Sequence, residues 1–243
     1  MADTIEIRGL SKSFQVEGRE VVVLRELELT VPAREITVLL GRSGCGKTTL
    51  LRLVGGLERP DSGTIRIPRD ARMAFVFQEA RLMPWLTVEK NIAFGCKRRD
   101  IRPEKIRELI ALTGLEGFAD ALPGQLSGGM QQRTALARAL AMEPDFVLMD
   151  EPFAALDHFT REKMQQFLLE LHENRRCGVL FVTHSIDEAL AIADRIVILQ
   201  DHQVKKGYPI GSAWRASASA EDRRRLRQEI LSSIENQNNE KET

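Results

Sequence analysis

Gly41-Arg42-Ser43-Gly44-Cys45-Gly46-Lys47-Thr48 sets glycines, a lysine and a hydroxyl in the order of a phosphate-cradling loop. A triphosphate is a polyanion, and holding it takes many donors close together. Glycines let the backbone turn tightly and aim its N–H groups inward, and a helix starting there adds its positive end. Lys47 is expected to reach the β- and γ-phosphates, and Thr48 to ligate Mg²⁺. Further along, Phe146-Val147-Leu148-Met149-Asp150-Glu151 is an apolar run that ends in two acids. A carboxylate at the C-terminal end of a strand points into the crevice where α/β folds bind ligands. Asp150 suits the Mg²⁺ shell, and Glu151 is placed to polarise an attacking water. Leu126-Ser127-Gly128-Gly129-Met130-Gln131-Gln132-Arg133 is a second glycine-rich turn. There Ser127 is a natural N-cap, and the glycines clear space for an anion at the positive end of a helix.

These groups need a scaffold. Ile36-Thr37-Val38-Leu39-Leu40 reads as a compact strand feeding straight into the glycine loop, and residues 49–54 as the helix after it, stopped by Gly55-Gly56. Residues 4–8, 21–24 and 27–31 read as antiparallel strands, and 64–67 alternates as an edge strand would. Apolar runs at 73–77, 146–149, 179–183 and 196–199 suit strands buried on both faces of a parallel sheet, with helical patterns between them. From about 80 to 142 no such strand occurs, and 103–113 and 129–142 read as helices of an inserted subdomain. The expected fold class is therefore α/β: a P-loop NTPase core with a mostly parallel sheet, an N-terminal antiparallel β subdomain and an inserted α-helical subdomain. From about 205 the chain turns polar and charged, with Arg223, Arg224, Arg225 and Arg227 among acids in 217–229. That stretch reads as a solvated helix face, as does Lys97-Arg98-Arg99 beside Asp100 and Glu104.

A length of 243 residues allows one large α/β domain with a small insertion, or two modest domains. The 35 Lys and Arg balance the 35 Asp and Glu, which argues against a broad nucleic-acid footprint. Cys45, Cys96 and Cys177 lack metal-ligand spacing and suggest a reducing, cytosolic setting. The histidines form no ligand cluster. Met1-Ala2-Asp3-Thr4-Ile5-Glu6 lacks the charged-then-apolar pattern of a signal peptide. No apolar run approaches the roughly 20 residues needed to span a bilayer. Service to a membrane is therefore expected to pass through a partner.

In this order along the chain, the motifs resemble those of the ATP-binding cassette (ABC) ATPases, the engines of ABC transporters. The resemblance covers residues 1 to about 205, the expected ATPase domain, leaving 206–243 as a short charged tail. Gly41–Thr48 looks like the Walker A loop, which implies that Gly41, Ser43, Gly44, Cys45, Gly46, Lys47, Thr48 and Thr49 bind the nucleotide. Asp150 and Glu151 resemble the Walker B pair. Gln78 looks like the Q-loop glutamine, which in the family senses Mg²⁺ and faces the permease. His184, after Val182-Thr183, looks like the switch histidine, Phe14 like the aromatic that stacks on adenine, and Ala155-Leu156-Asp157 like the D-loop. Leu126–Gln131 looks like the signature motif. The resemblance implies that two copies sandwich two ATP head to tail, so that Ser127, Gly128, Gly129 and Asp157 act on the partner's nucleotide. It further implies an integral-membrane permease, indirectly an extracytoplasmic solute-binding protein, and a place on the inner face of the cell membrane.

Met130 stands where glutamine is commonest in the signature, Ala154 where glycine is frequent and Ser185 where aspartate is. None of these removes a catalytic group. Met130 and the string Phe77-Gln78-Glu79-Ala80-Arg81-Leu82-Met83-Pro84-Trp85-Leu86-Thr87 look like the importer subgroup for nitrate, sulfonates, taurine and related solutes. The alternative is an ABC engine that moves no solute, for lipoprotein release, division or repair. A silent ATP-binding module or a small-molecule kinase would share the first loop. Two local expectations follow from position. Trp85, just past Gln78, should help to form the permease-docking surface. Cys45, beside Lys47 and a helix N-terminus, should have a lowered thiol pKa, so that alkylation inactivates the protein and ATP protects it.

Overall fold

The central strands bury both of their faces, and that sets the layering. The structure, a computed structural model, describes residues 4–96, 101–154, 156–175 and 177–235. Lys97-Arg98-Arg99, Asp100 and Ala155 lie outside the described residues. The chain begins with β1 (Thr4–Val16), β2 (Arg19–Pro32) and β3 (Ile36–Leu40), then α1 (Lys47–Val54), β4 (Ser62–Arg66) and β5 (Met73–Val76). Helices α2 (Val88–Ala93), α3 (Pro103–Leu112) and α4 (Gly128–Ala141) follow before β6 (Phe146–Asp150). After it come α5 (His158–Arg175), β7 (Gly178–Thr183), α6 (Ile186–Ile192), β8 (Arg195–Gln200), β9 (Gln203–Pro209), α7 (Gly211–Ser217) and α8 (Ala220–Glu235).

Six strands form one sheet in the order β5-β6-β7-β3-β8-β9, parallel except for the antiparallel pair β8–β9. Side chains alternate between its faces. Val38, Leu40, Val147, Met149, Val179, Phe181, Ile196 and Ile198 join one core with residues of helices α2 to α6 and α8. Leu39, Phe146, Leu148, Leu180, Val182, Val197 and Leu199 join a second core with α1 and the first hairpin. With both faces covered, every position of β3, β6 and β7 is buried, hence the unbroken apolar runs.

The second sheet has the order β2-β1-β4 and is antiparallel. The sequence suggests two strands at 21–24 and 27–31. The structure makes one bent strand, β2, with Glu26 in the left-handed region at φ 44° and a shifted register against β1.

The division expected at 205/206 falls inside β9, which pairs with β8 along its length. Beyond it α8 packs on α6 and β8, with Ile230 fully buried in the main core and Leu226, Leu231 and Ile234 half-buried against it. Arg224, Arg225 and Arg227 of the same helix are exposed. Arg223 instead stacks over Trp214, 5.5 Å from its ring centroid. Among the described residues no helix is long and apolar enough to cross a membrane.

Candidate active site

The C-terminal ends of β3, β6 and β7 converge, and their loops build a cleft of about 550 Å³. Phe14, Val23, Ser43, Gly44, Gly46, Lys47, Thr48, Thr49, Gln78, Glu151 and His184 line it. Gly46 caps α1 at φ 103°, and a Cβ there would stand 2.8 Å from the Val23 carbonyl oxygen and 2.9 Å from Leu24 Cδ2, so only glycine fits. Gly41 is pressed against the carbonyl of Leu199 in the same way.

Lys47 is buried, and its Nζ donates to the carbonyl oxygens of Gly41 at 2.8 Å and Arg42 at 2.9 Å. Thr48 Oγ1 donates to Asp150 Oδ1 at 2.9 Å, joining the start of α1 to the end of β6. Burial pushes the Asp150 carboxyl above its ordinary range; the Thr48 bond pulls it down and the charge of Glu151 pushes it up again. Glu151 sits at φ 44°, a left-handed conformation that costs a non-glycine residue about 1–3 kcal/mol. Its N–H donates to the Val182 carbonyl at 3.0 Å, and its Oε2 lies 3.1 Å from His184 Nδ1. Phe14 is half-buried rather than core, with Lys12 Nζ 5.0 Å from its ring centroid.

Cys45 departs from expectation. Its thiol pKa is raised above the ordinary 9.0, because burial outweighs the lowering effects of the Lys47 charge and of nearby backbone N–H groups. Lys47 is the strongest of these lowering effects, but its ammonium is turned to two carbonyls and stands 4.0 Å from Sγ, so it does not offset the burial. Alkylation of Cys45, followed by peptide mass spectrometry, is therefore expected to be slow near neutrality and to accelerate as pH rises past about 9. A rate that reaches its plateau below about pH 8 would restore the activated thiol.

Ser127, Gly128, Gly129 and Asp157 do not line this cleft. Ser127 caps α4, its Oγ accepting the Met130 N–H at 3.3 Å. Asp157 caps α5 by accepting from the Thr160 N–H at 2.9 Å and from its hydroxyl at 2.6 Å, bonds that lower its pKa. Three residues to which the sequence assigned no role fasten α2 and α4 to the chain around Gln78. Gln132 Nε2 donates to the Phe77 carbonyl at 2.9 Å, and Arg138 donates to those of Ala80 and Arg81, both at 2.9 Å. Asn91 clamps the turn that carries Trp85, bonding both backbone groups of Met83 and the carbonyls of Leu86 and Thr87. Trp85 itself is 71% exposed. Val23 also lines the cleft without a motif; only its place on the strand that pairs with the one bearing Phe14 brings it there.

The residues present fit a nucleotide with Mg²⁺. A hydroxyl and a buried carboxylate already lie 2.9 Å apart beside the lysine. Among the described residues no three His, Cys, Asp or Glu side chains gather as a ligand set. A Thr, Asp and Gln donor set completed by phosphate oxygens does not call for one.

Residues 24–154 match a family model described as ABC transporter. The aliphatic sulfonates import ATP-binding protein SsuB of Bacillus subtilis (strain 168) is 41% identical, over 97% of this chain and 95% of that protein. The taurine import ATP-binding protein TauB of Pseudomonas aeruginosa is 42% identical, over 86% of this chain and 84% of that protein. Among solved structures, the dimeric post-hydrolysis state of the ATP-binding cassette MJ0796 bound to ADP and Pi superposes with a TM-score of 0.77 at 32% identity, covering 85% of this chain and 98% of that one. A glycine loop, a paired acid and histidine and a capped signature turn, carried on a mixed sheet with these relatives, have one reading: the chain belongs to the ABC transporter family, among its ATP-binding subunits.

Proposed function

We propose that the chain hydrolyses ATP as one of two cassette copies that drive a separate membrane permease for solute import. The observation that carries the reading is the split of the motifs. Lys47, Thr48, Gln78, Glu151 and His184 share one cleft, whereas Ser127, Gly128, Gly129 and Asp157 stand outside it, free to serve a second copy. In the proposed mechanism Lys47 leaves the carbonyls of Gly41 and Arg42 for the β- and γ-phosphates, and the backbone N–H groups of 43–49 hold the remaining charge. Phe14 stacks on the adenine. Thr48, Asp150 and Gln78 would hold Mg²⁺, which neutralises charge on the phosphate oxygens. Glu151 orients the attacking water and draws its proton, and His184, 3.1 Å from that carboxylate, fixes its direction. The signature turn of the second copy closes the site, since phosphoryl transfer is mostly positioning and charge stabilisation.

The relatives named for sulfonate and taurine import support a small anion or solute of that type, delivered by an extracytoplasmic binding protein. The cassette pair would sit on the inner face of the membrane, held by the permease. Trp85, exposed on a turn clamped by Asn91, suits that docking surface.

The test is affinity purification of the tagged protein from detergent-solubilised native membranes. A polytopic permease is expected among its companions, and Trp85→Ala is expected to lose it while binding ATP within about twofold of wild type. Recovery without a membrane partner would overturn the transport role. Loss of ATP binding by Trp85→Ala would return Trp85 to packing.

A further inference from the structure

Outside the cleft, one buried carboxylate is bonded beside His184 and paired with an arginine that holds the segment bearing Asp157. Glu188, in the first turn of α6, is 8% exposed. Its Oε2 accepts a 2.7 Å bond from Thr183 Oγ1 at the end of β7, and Thr183 Oγ1 accepts the backbone N–H of Ser185 at 3.0 Å. The N–H of Glu188 itself donates to Ser185 Oγ at 3.2 Å. These bonds hold the residues immediately before and after His184. The other carboxylate oxygen, Oε1, stands 3.5 Å from Arg161 Nε, which makes no hydrogen bond. Arg161 in turn holds the other segment: its Nη2 donates to the Leu156 carbonyl and its N–H to the Asp157 carbonyl, both at 2.9 Å.

Helix α6 is too short to be stable alone. The far end of the chain steadies it: α8 packs on it, Ile230 is fully buried, and Arg227 Nε bonds Asp187 Oδ1 at 3.0 Å. A carboxylate is unfavourable in such a place unless it is bonded, so Glu188 is committed to these two contacts. Its contacts thus reach the residues on either side of His184 and, through Arg161, Leu156 and Asp157.

We propose that Glu188 is a positioning residue for turnover, setting His184 against Glu151 and, through Arg161, fixing the segment that bears Asp157. The inference rests on the ATPase reading above. Small displacements of positioned groups cost turnover steeply, so Glu188→Ala is expected to lower kcat by about tenfold or more. KM for ATP should stay within about twofold, because Glu188 does not line the cleft. Glu188→Gln keeps an acceptor for Thr183 and loses only the charge facing Arg161, so it should lose less. In a His184→Gln background, followed by single turnover of radiolabelled ATP, the Glu188→Ala loss should shrink, because part of it acts through the missing imidazole. An undiminished loss in that background, or an unchanged kcat in folded Glu188→Ala protein, would overturn the proposal. If Glu188→Ala does not fold, the same cycle with Glu188→Gln decides. Failure of the ATPase reading would look different: wild-type protein would turn over no ATP at all.

Discussion

Glu151→Gln is expected to cut ATP turnover by about 10²–10⁴-fold while leaving nucleotide binding intact. The amide matches the carboxylate in shape and tolerates the same φ of 44°, so the backbone bond to Val182 should survive. What goes is the basic oxygen now 3.1 Å from His184 Nδ1. Asp150 should benefit: the charge of Glu151 is among the causes that raise its pKa, and removing that charge strengthens its ionised form beside Thr48. MgATP should therefore bind at least as tightly as in wild type, and ATP-bound copies should accumulate as dimers. Sedimentation with and without MgATP reads this directly. Turnover within about tenfold of wild type would remove Glu151 from the role of base. An inactive variant that stays monomeric at saturating MgATP would instead count against the two-copy site.

What a contiguous string carries was legible in the chain. The glycine loop, the strand ending in Asp150 and Glu151, and the turn capped by Ser127 each announce their geometry, because neighbours in sequence supply it. Gln78, His184 and Phe14 carry no such string and are readable only by resemblance, yet all three line the cleft. The contacts that support the site leave no mark. Gln132 reaches the carbonyl of Phe77 across 55 residues and Arg138 that of Ala80 across 58. Every residue offers a carbonyl, so no paired residue types betray such bonds. Cys45 shows the same limit in electrostatics: Lys47 and the helix start are visible in sequence and argue for a lower pKa, whereas the burial that reverses it belongs to the fold. In the tail, the arginines of 217–229 dominate the composition, while Ile230, one position past that stretch, joins the core.

Asp194→Ala is expected to destabilise the fold by about 3–5 kcal/mol, because it strips the counter-charge from a buried ionic group. Asp194 lies at the end of the sheet opposite the cleft, where it joins β3, α5 and α7. Its Oδ2 accepts the Ile36 N–H at 2.8 Å and stands 3.3 Å from His172 Nε2, while Oδ1 accepts from Arg215 Nη1 at 2.7 Å. Burial would raise its pKa, but the bonds from His172, Ile36 and Arg215 win and bring it to about 2. Burial would likewise lower that of His172, but the bonds to Asp194 and to the Cys177 carbonyl lift it to about 10. The signs follow. Asp194 contributes above its ordinary 3.8, and that contribution is lost as pH falls towards about 2. His172 contributes below its ordinary 6.5, and that contribution is lost as pH rises towards about 10. Wild type should therefore exceed Asp194→Asn most between 3.8 and 6.5, and the gap should narrow on either side. In Asp194→Asn the imidazole loses its counter-charge and keeps only the Cys177 carbonyl, so its pKa drops and the fall in stability that His172 gives wild type above 6.5 should shrink. Urea unfolding at pH values of about 5, 7 and 9 measures the gap. A constant gap would mean that His172 and Asp194 do not share a proton-linked bond, and that Asp194 stabilises the fold through Ile36 and Arg215 alone.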